Sequence, residues 1–360
     1  MKIPKILKIL PIFFAFYFAH YIIITSISSF ITTSLSTSVY IYPIIAFFIF
    51  AILLYITNLL GENPFSLVYY ILGIYLSFLL NTFIFSVLYF IITIITTISS
   101  FFFFVLLFIC PFILTIYGML NARHIKTTEI RISYKGFSQN KKRIAHLTDL
   151  HLGPLYKKAF IQKIVTKLNE IKPDVIVITG DMADGTLTVK TDWLSPFDTL
   201  NVPILYITGN HEQIHGKAEM INAVEGTNIK HVGNEVVEIE GINFIGVDYE
   251  YNLRQRLNEL KGSYLNNEGK PNVLLSHIPC MNADEIEVFG IFLFLAGHTH
   301  CGQVFPLQIL VYLANKCFGG LYKSRSGKSY VYVCAGAGTA VLPMRTMSHS
   351  EIGVITIERE

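Results

Sequence analysis

Between Ile9 and Ala122 the chain carries no aspartate, lysine or arginine, and Glu62 is its single acidic residue there. A water-exposed domain of that size would present charges over about a quarter of its residues, so water is excluded as the solvent of this third. The whole chain is 52% hydrophobic and only 15% charged, which places part of it in lipid. The five cysteines form no C-x-x-C pair, and Cys110 falls in the apolar third; a zinc ribbon and a disulfide framework are both excluded, and a reducing compartment fits. No long basic stripe interleaved with aromatics exists and the net charge is +3, so no nucleic-acid partner is expected.

What the apolar third does contain is length. A helix crosses the hydrocarbon core with about 20 apolar residues, because every backbone polar group must be satisfied internally. Four stretches qualify, near 6–27, 39–60, 65–90 and 99–120, broken by Ser/Thr-rich turns and by Gly61-Glu62-Asn63-Pro64. The third and fourth are nearly continuous, so a count of three or five stays open. Lys2, Lys5 and Lys8 precede the first stretch as they would in a signal peptide. No small-residue cleavage site follows and more spans come after it, so it is expected to be kept as an anchor. Lysines and arginines flank the first span on its amino side and the last on its carboxyl side (Arg123, Lys126, Arg131, Lys135, Lys141, Lys142, Arg143), with none in the internal loops. With four spans this places both ends, and the domain that follows, in the cytosol. His20 lies within the first span without acidic company and is expected to be neutral and packed rather than part of a transport path.

From about residue 125 the chain alternates short β-rich runs with amphipathic helical stretches, the pattern of an α/β domain. The expected division is 1–122 as a transmembrane helical region, 123–142 as linker and first-strand region, and 143–360 as the α/β domain. Strands are predicted at 143–148, 174–179, 203–208, 235–240, 242–247, 272–276, 291–296, 330–335 and 352–358, and a helix at 157–171. Polar chemistry recurs at the carboxyl ends of these strands: Asp149 and His151, Asp181 and Asp184, Asn210-His211-Glu212, His277, and His298 with His300. One such block is ordinarily a cap or turn former. Five along one sheet edge would bury unpaired polar groups at a cost of several kcal/mol each, and a bound cation is the simplest compensation. Imidazole and carboxylate without thiolate suit manganese, iron or zinc better than calcium or magnesium.

The order D-x-H, G-D, G-N-H-E, H, G-H-x-H resembles that of the calcineurin-like metallophosphoesterases, over essentially the whole soluble half. With several spans ahead of it, the chain looks most like the subgroup that includes the transmembrane protein with metallophosphoesterase domain and its bacterial relatives; Gly338-Thr339, Pro343-Met344-Arg345 and Glu351-Ile352 also match. The resemblance implies a metallophosphoesterase-type β-sandwich flanked by helices, preceded by an all-α transmembrane bundle. It further implies two divalent metal ions, one held by Asp149, His151 and His300, the other by Asn210, His277 and His298, with Asp181 bridging them. Such a pair activates a hydroxide for attack on phosphorus. His211 would protonate the leaving group or stabilise the transition state, with Glu212 as its orienter. Gly180, Gly209 and Gly297 would permit tight strand-to-loop turns, and Asp184 would buttress a ligand histidine. His146, His215, His231 and His349 match no motif position.

Two departures stand out: Cys301 occupies a position where the subgroup has glycine, read as a small buried stand-in, and His349-Ser350 replaces Arg-Pro, which puts a substrate contact there in doubt. The apolar run 304–313 reads as core, with a membrane-facing lid for a lipid-linked phosphate as the sharper alternative. Two function classes follow: a membrane-embedded phosphohydrolase acting on a phosphorylated small molecule or lipid, or a transporter or receptor whose soluble domain is a non-catalytic metal-binding module. The filled ligand set favours the enzyme.

Overall fold

The computed structural model describes residues 5–31, 37–249, 252–265 and 269–360; Lys2, part of the orientation argument, lies outside them. The chain forms two compact units, Met1–Leu120 with Val341–Met344, and Asn121–Ala340 with Arg345–Glu360.

The first unit is helical. Among the described residues, four helices are long and apolar enough to cross a membrane by length and composition: Phe14–Ile31, Val39–Leu60, Glu62–Thr93 and Ser100–Arg123. Gly61, at φ +114°, breaks the chain between the second and third, a conformation that glycine tolerates for want of a Cβ. The Glu62 carboxylate falls in the first turn of the helix it opens, where the helix dipole favours negative charge. Large apolar side chains such as Leu59, Leu60, Phe101 and Ile113 face outward. Inside, Phe30 stacks on Phe103 at 3.9 Å and Asn81 donates to Thr115. His20 is held between the Phe16 carbonyl and the Tyr75 hydroxyl, packed as expected.

The second unit is built from two six-stranded sheets. In chain order the strands are β1 (Ile125–Tyr134), β2 (Lys141–Leu147), β3 (Val175–Thr179), β4 (Ile204–Ile207), β5 (Ile229–His231), β6 (Val236–Ile239), β7 (Ile242–Gly246), β8 (Asn272–Leu275), β9 (Leu293–Ala296), β10 (Gly320–Lys323), β11 (Tyr330–Val333) and β12 (Ser350–Arg359). The sheet orders are β1-β12-β2-β3-β4-β5 and β10-β11-β9-β8-β7-β6. In the first, β2 to β5 run parallel and β12 is antiparallel to β2 but parallel to β1. In the second, β7, β8, β9 and β11 run parallel.

Apolar runs without polar alternation, such as Val175–Thr179 and Leu293–Ala296, are buried along their full length, the signature of strands covered on both faces. Ile144, Val175, Val177, Leu205 and Ile207 of one sheet meet Phe244, Val273, Leu275, Leu293 and Leu295 of the other in a common core. On the far side of the second sheet, Leu253, Leu257 and Tyr264 of the helix Leu253–Tyr264 pack with Leu274, Phe294 and Val331. The helix Lys158–Ile171 buries Ile161, Ile164, Val165, Leu168 and Ile171, at the spacing of a single helical face.

All nine expected strands and that helix are present, with ends shifted by a few residues. Three further strands had no clear sequence signal. β1 occupies much of 123–142, expected as linker and first-strand region, as a ten-residue edge strand of largely exposed pattern, and β5 and β10 are only three and four residues long. Of the run 304–313 read as core, Val304 is buried, but the rest is corrected: Leu307–Ala314 is a helix with no buried residue, and Leu310 and Leu313 are 64% and 74% exposed.

Leu295→Ala, in the sandwich core, is expected to cost about 2–5 kcal/mol of stability, whereas Leu310→Ala should change it by less than about 0.5 kcal/mol. Chemical denaturation followed by near-ultraviolet circular dichroism compares the two.

Candidate metal centre

β2, β3, β4, β8 and β9 each end a few residues before one of the motif blocks, so the sandwich delivers the polar side chains to one edge. Three groups of donors converge there, each with ligand atoms within 4.8 Å of one another: Asp149, His151 and His300; His151, Asp181 and His211; Asp181, His277 and His298. Six of the seven expected ligands fall in these groups. Asp181 belongs to two of them, and His151 links the remaining one, which is the connectivity a shared carboxylate requires. Asn210, the seventh, opens the helix Asn210–His215, and the neighbouring His211 amide donates to Asp181 Oδ1 at 2.9 Å.

The backbone bends to make this convergence. Asp149 (φ +52°), His151 (+48°), Asp181 (+50°), His298 (+72°) and His300 (+50°) all sit in the left-handed region, at about 1–2 kcal/mol each for a residue bearing a Cβ. Strain gathered on five of seven ligands marks a site the rest of the fold over-determines. Two glycines owe their place to the same crowding. A Cβ on Gly209 would lie 2.3 Å from Asp181 Oδ1, and one on Gly297 would lie 2.3 Å from Asp149 Oδ2.

Two of the ligands are oriented by hydrogen-bonding neighbours. Asp149 Oδ2 accepts from the Thr148 hydroxyl and the His298 amide, leaving Oδ1 turned toward His300 Nε2 at 3.3 Å. His277 Nδ1 donates to the Thr179 carbonyl at 2.8 Å, so Nε2 is presented to the cluster, 3.0 Å from Asp181 Oδ2. His151 and His300 point their Nε2 atoms at each other, 3.0 Å apart. Asp149 Oδ1, Asn210 Oδ1 and His277 Nε2 are buried without a hydrogen-bond partner. Orphaned acceptors are costly in a protein interior, and here they share one edge with carboxylates and imidazoles. Divalent cations fit that donor set.

Titration behaviour follows from the crowding. Burial pushes His151 down to about 3 and His298 to about 4, and lifts Asp149 to about 6 against the pull of His277. For His277 burial acts downward, but the Asp181 and Asp149 carboxylates reverse it and raise the ring to about 10. Asp181 resists its own burial and is held well below the carboxylate range by His277, His151 and His211.

The expected roles of Glu212 and Asp184 need correction. Glu212 is fully buried and spends its carboxylate on the amides of Asp181, Ala183 and Gly209. It ties two motif loops together and does not face His211. The ring of His211 is oriented by the backbone carbonyl of Asp184, which accepts from Nδ1 at 2.7 Å, while the Asp184 carboxylate binds Thr186. A side-chain motif cannot show such a backbone contact. His231 and His146 have structural partners, Asp248 and Thr179 respectively. The role of Arg345, noted in the sequence only as part of a matching phrase, also went unrecognised: its guanidinium is fully buried and reaches His300.

Residues 142–302 match the family model of calcineurin-like phosphoesterases. An uncharacterized metallophosphoesterase of Helicobacter pylori is 36% identical over 247 residues, covering 67% of this chain and 65% of that protein. A transmembrane protein with metallophosphoesterase domain from Danio rerio is 32% identical over 284 residues, covering 72% and 64%. The chain thus spans somewhat less than two thirds of the length of these curated relatives. Through the segment that carries the five motif blocks, the chain belongs to the calcineurin-like phosphoesterase family.

Proposed function

We propose that the chain is a membrane-anchored, metal-dependent phosphohydrolase that cleaves a phosphomonoester, phosphodiester or pyrophosphate bond. The observation that carries this reading is the set of buried, unpartnered ligand atoms converging around Asp181. Asp149, His151 and His300 would hold one divalent ion, Asn210, His277 and His298 the other, and Asp181 would face both. Bound there, such ions supply Lewis acidity and an ionised water at neutral pH.

His211 has a different place from the ligands. Its side chain is 25% exposed while that of Asp181, 3.9 Å from its Nε2, is 2% exposed. With Nδ1 fixed on the Asp184 carbonyl, Nε2 is the atom left to meet a substrate. A protonated His211 can therefore deliver a proton to the leaving oxygen or a hydrogen bond to the phosphoryl group. Glu212 preserves the register of the loops carrying Asp181 and Asn210 through three backbone amides.

The four apolar helices and the basic residues that follow them support a multi-pass anchor with the hydrolase domain on the cytosolic side. The helix Leu307–Ala314 follows the His298–His300 loop by a few residues and exposes Leu307, Ile309, Leu310, Tyr312 and Leu313. A continuous apolar surface of this kind marks an interaction site, and beside a phosphohydrolase centre it favours a lipid-linked phosphate as substrate.

In full-length protein with added Mn²⁺, hydrolysis of p-nitrophenyl phosphate or its diester should be measurable, and Asp181→Asn should lower kcat by more than about a hundredfold, the scale of one electrostatic group in such sites. Equal turnover by both forms removes the reading. Leu310→Asp with Leu313→Asp should depress turnover of a bilayer-embedded phospholipid substrate while sparing the soluble ester; an equal effect on both argues against the lipid substrate. Metal uptake must also displace the proton that His277 keeps up to about pH 10. Apparent Mn²⁺ affinity should accordingly rise with pH, by up to about tenfold per unit for one displaced proton. Calorimetric titrations at pH 6, 7 and 8 (about one unit apart) would show it, and a pH-independent affinity would contradict it.

A further inference from the structure

Arg345 is a fully buried guanidinium whose hydrogen bonds go to backbone carbonyls and a hydroxyl rather than to a carboxylate. A charge so placed is retained only where its hydrogen bonds are all made. All but the one to Ser348 go to the wall of the metal centre. Nη2 donates to the Ala335 carbonyl at 2.8 Å and to the carbonyls of Gly336 and Gly338 at 3.1 and 2.6 Å. Nη1 reaches the His300 carbonyl at 3.2 Å and the Ser348 hydroxyl at 2.9 Å, and Nε reaches Gly338 again.

The loop 335–338 that it grips is the cover of Asp149. The Gly338 amide donates to the Asp149 carbonyl at 2.8 Å and the Ala337 amide to the Thr148 carbonyl. A Cβ on Gly336 would stand 2.6 Å from Asp149 Cβ. One planar fork therefore fixes the backbone of His300 and, through the loop, the backbone of Asp149. Asp181, Asn210, His277 and His298 receive none of its hydrogen bonds among the described residues.

We infer that Arg345 is the positioning residue for one metal position only, the one formed by Asp149, His151 and His300. The inference rests on the two-metal reading above. It is specific to arginine, because a lysine would bring the charge without the rigid, multidentate donor plane. It also separates two opposed effects of the same group. As a charge, the guanidinium repels a cation at that position; as a clamp, it holds the ligands at the separation a cation needs. The number and geometry of its bonds assign the clamp the larger effect.

The test is Mn²⁺ binding to the detergent-solubilised full chain, read as metal content after equilibrium dialysis and as the electron paramagnetic resonance signature of an exchange-coupled pair. Wild type should bind two equivalents with a coupled signal. Arg345→Lys and Arg345→Met should each keep one tight equivalent and lose affinity for the other by about 10–100-fold, the usual effect of removing a group that orients a ligand. The coupled signal should give way to that of an isolated ion. Ser348→Ala, which removes an acceptor unconnected to any ligand, should keep both ions. The assignment is overturned if both Arg345 variants bind two ions as wild type does, if they lose both ions equally, or if Arg345→Met binds the second ion more tightly while Arg345→Lys is unchanged, which would mark a purely electrostatic role. Failure of both variants to fold, judged by circular dichroism, equally overturns it in favour of a folding role. A wild-type protein that binds fewer than two ions defeats the two-metal reading and leaves no position for Arg345 to serve.

Discussion

The constraint on which the second unit depends is the crowding of buried ligand atoms onto one edge, where they face chiefly one another. Asp149 Oδ1, Asn210 Oδ1 and His277 Nε2 are sealed from water without partners, and most of their companions stand on strained backbone. A fold pays for such an arrangement only when something else compensates it, since each orphaned group and each left-handed residue works against folding. The sandwich core of Ile144, Val177, Leu205, Phe244, Val273 and Leu295 provides the rigid frame that keeps the arrangement from relaxing. Stability is thus concentrated in the two sheets and strain at their shared edge.

Around that edge, backbone contacts do as much as side chains. Glu212 is a carboxylate used to splice loops, and Asp184 contributes its carbonyl to His211. Thr179 lends a carbonyl to His277 and a hydroxyl to His146. The electrostatics are equally shared: Asp181 is kept ionised by several imidazoles, and the same carboxylate raises His277. No single group has a charge state independent of the others.

Much of this was legible in the residues. Gly61 and Glu62 announced a helix boundary, and unalternated apolar runs such as Val175–Thr179 announced buried parallel strands. The ligand blocks were legible because each combines a strand end with a residue type rarely left there unpaired. What escaped detection did so for physical reasons. β1 is an edge strand with few buried positions, so its pattern resembles that of a polar linker. The run 307–314 has the composition of a core element, and composition alone cannot tell a buried element from an exposed one. Glu212 follows a histidine in the chain, yet neighbours in sequence at a helix start point in different directions. Arg345 lies 45 positions from His300, and no local pattern connects them.

The position of β12 has a consequence for how the molecule comes into being. Residues 350–359 lie between β1 and β2, pairing with one in parallel and the other in antiparallel, and β1 has no other partner in its sheet. During synthesis the first-made strand of the second unit must wait for more than two hundred further residues before its neighbour leaves the ribosome. Contacts of such long sequence separation form slowly, and an unpaired strand is meanwhile open to foreign pairing. The largely exposed, charge-bearing pattern of β1, with Lys126, Glu129 and Arg131 along it, is suited to that interval: it keeps a lone edge soluble until the closing strand arrives.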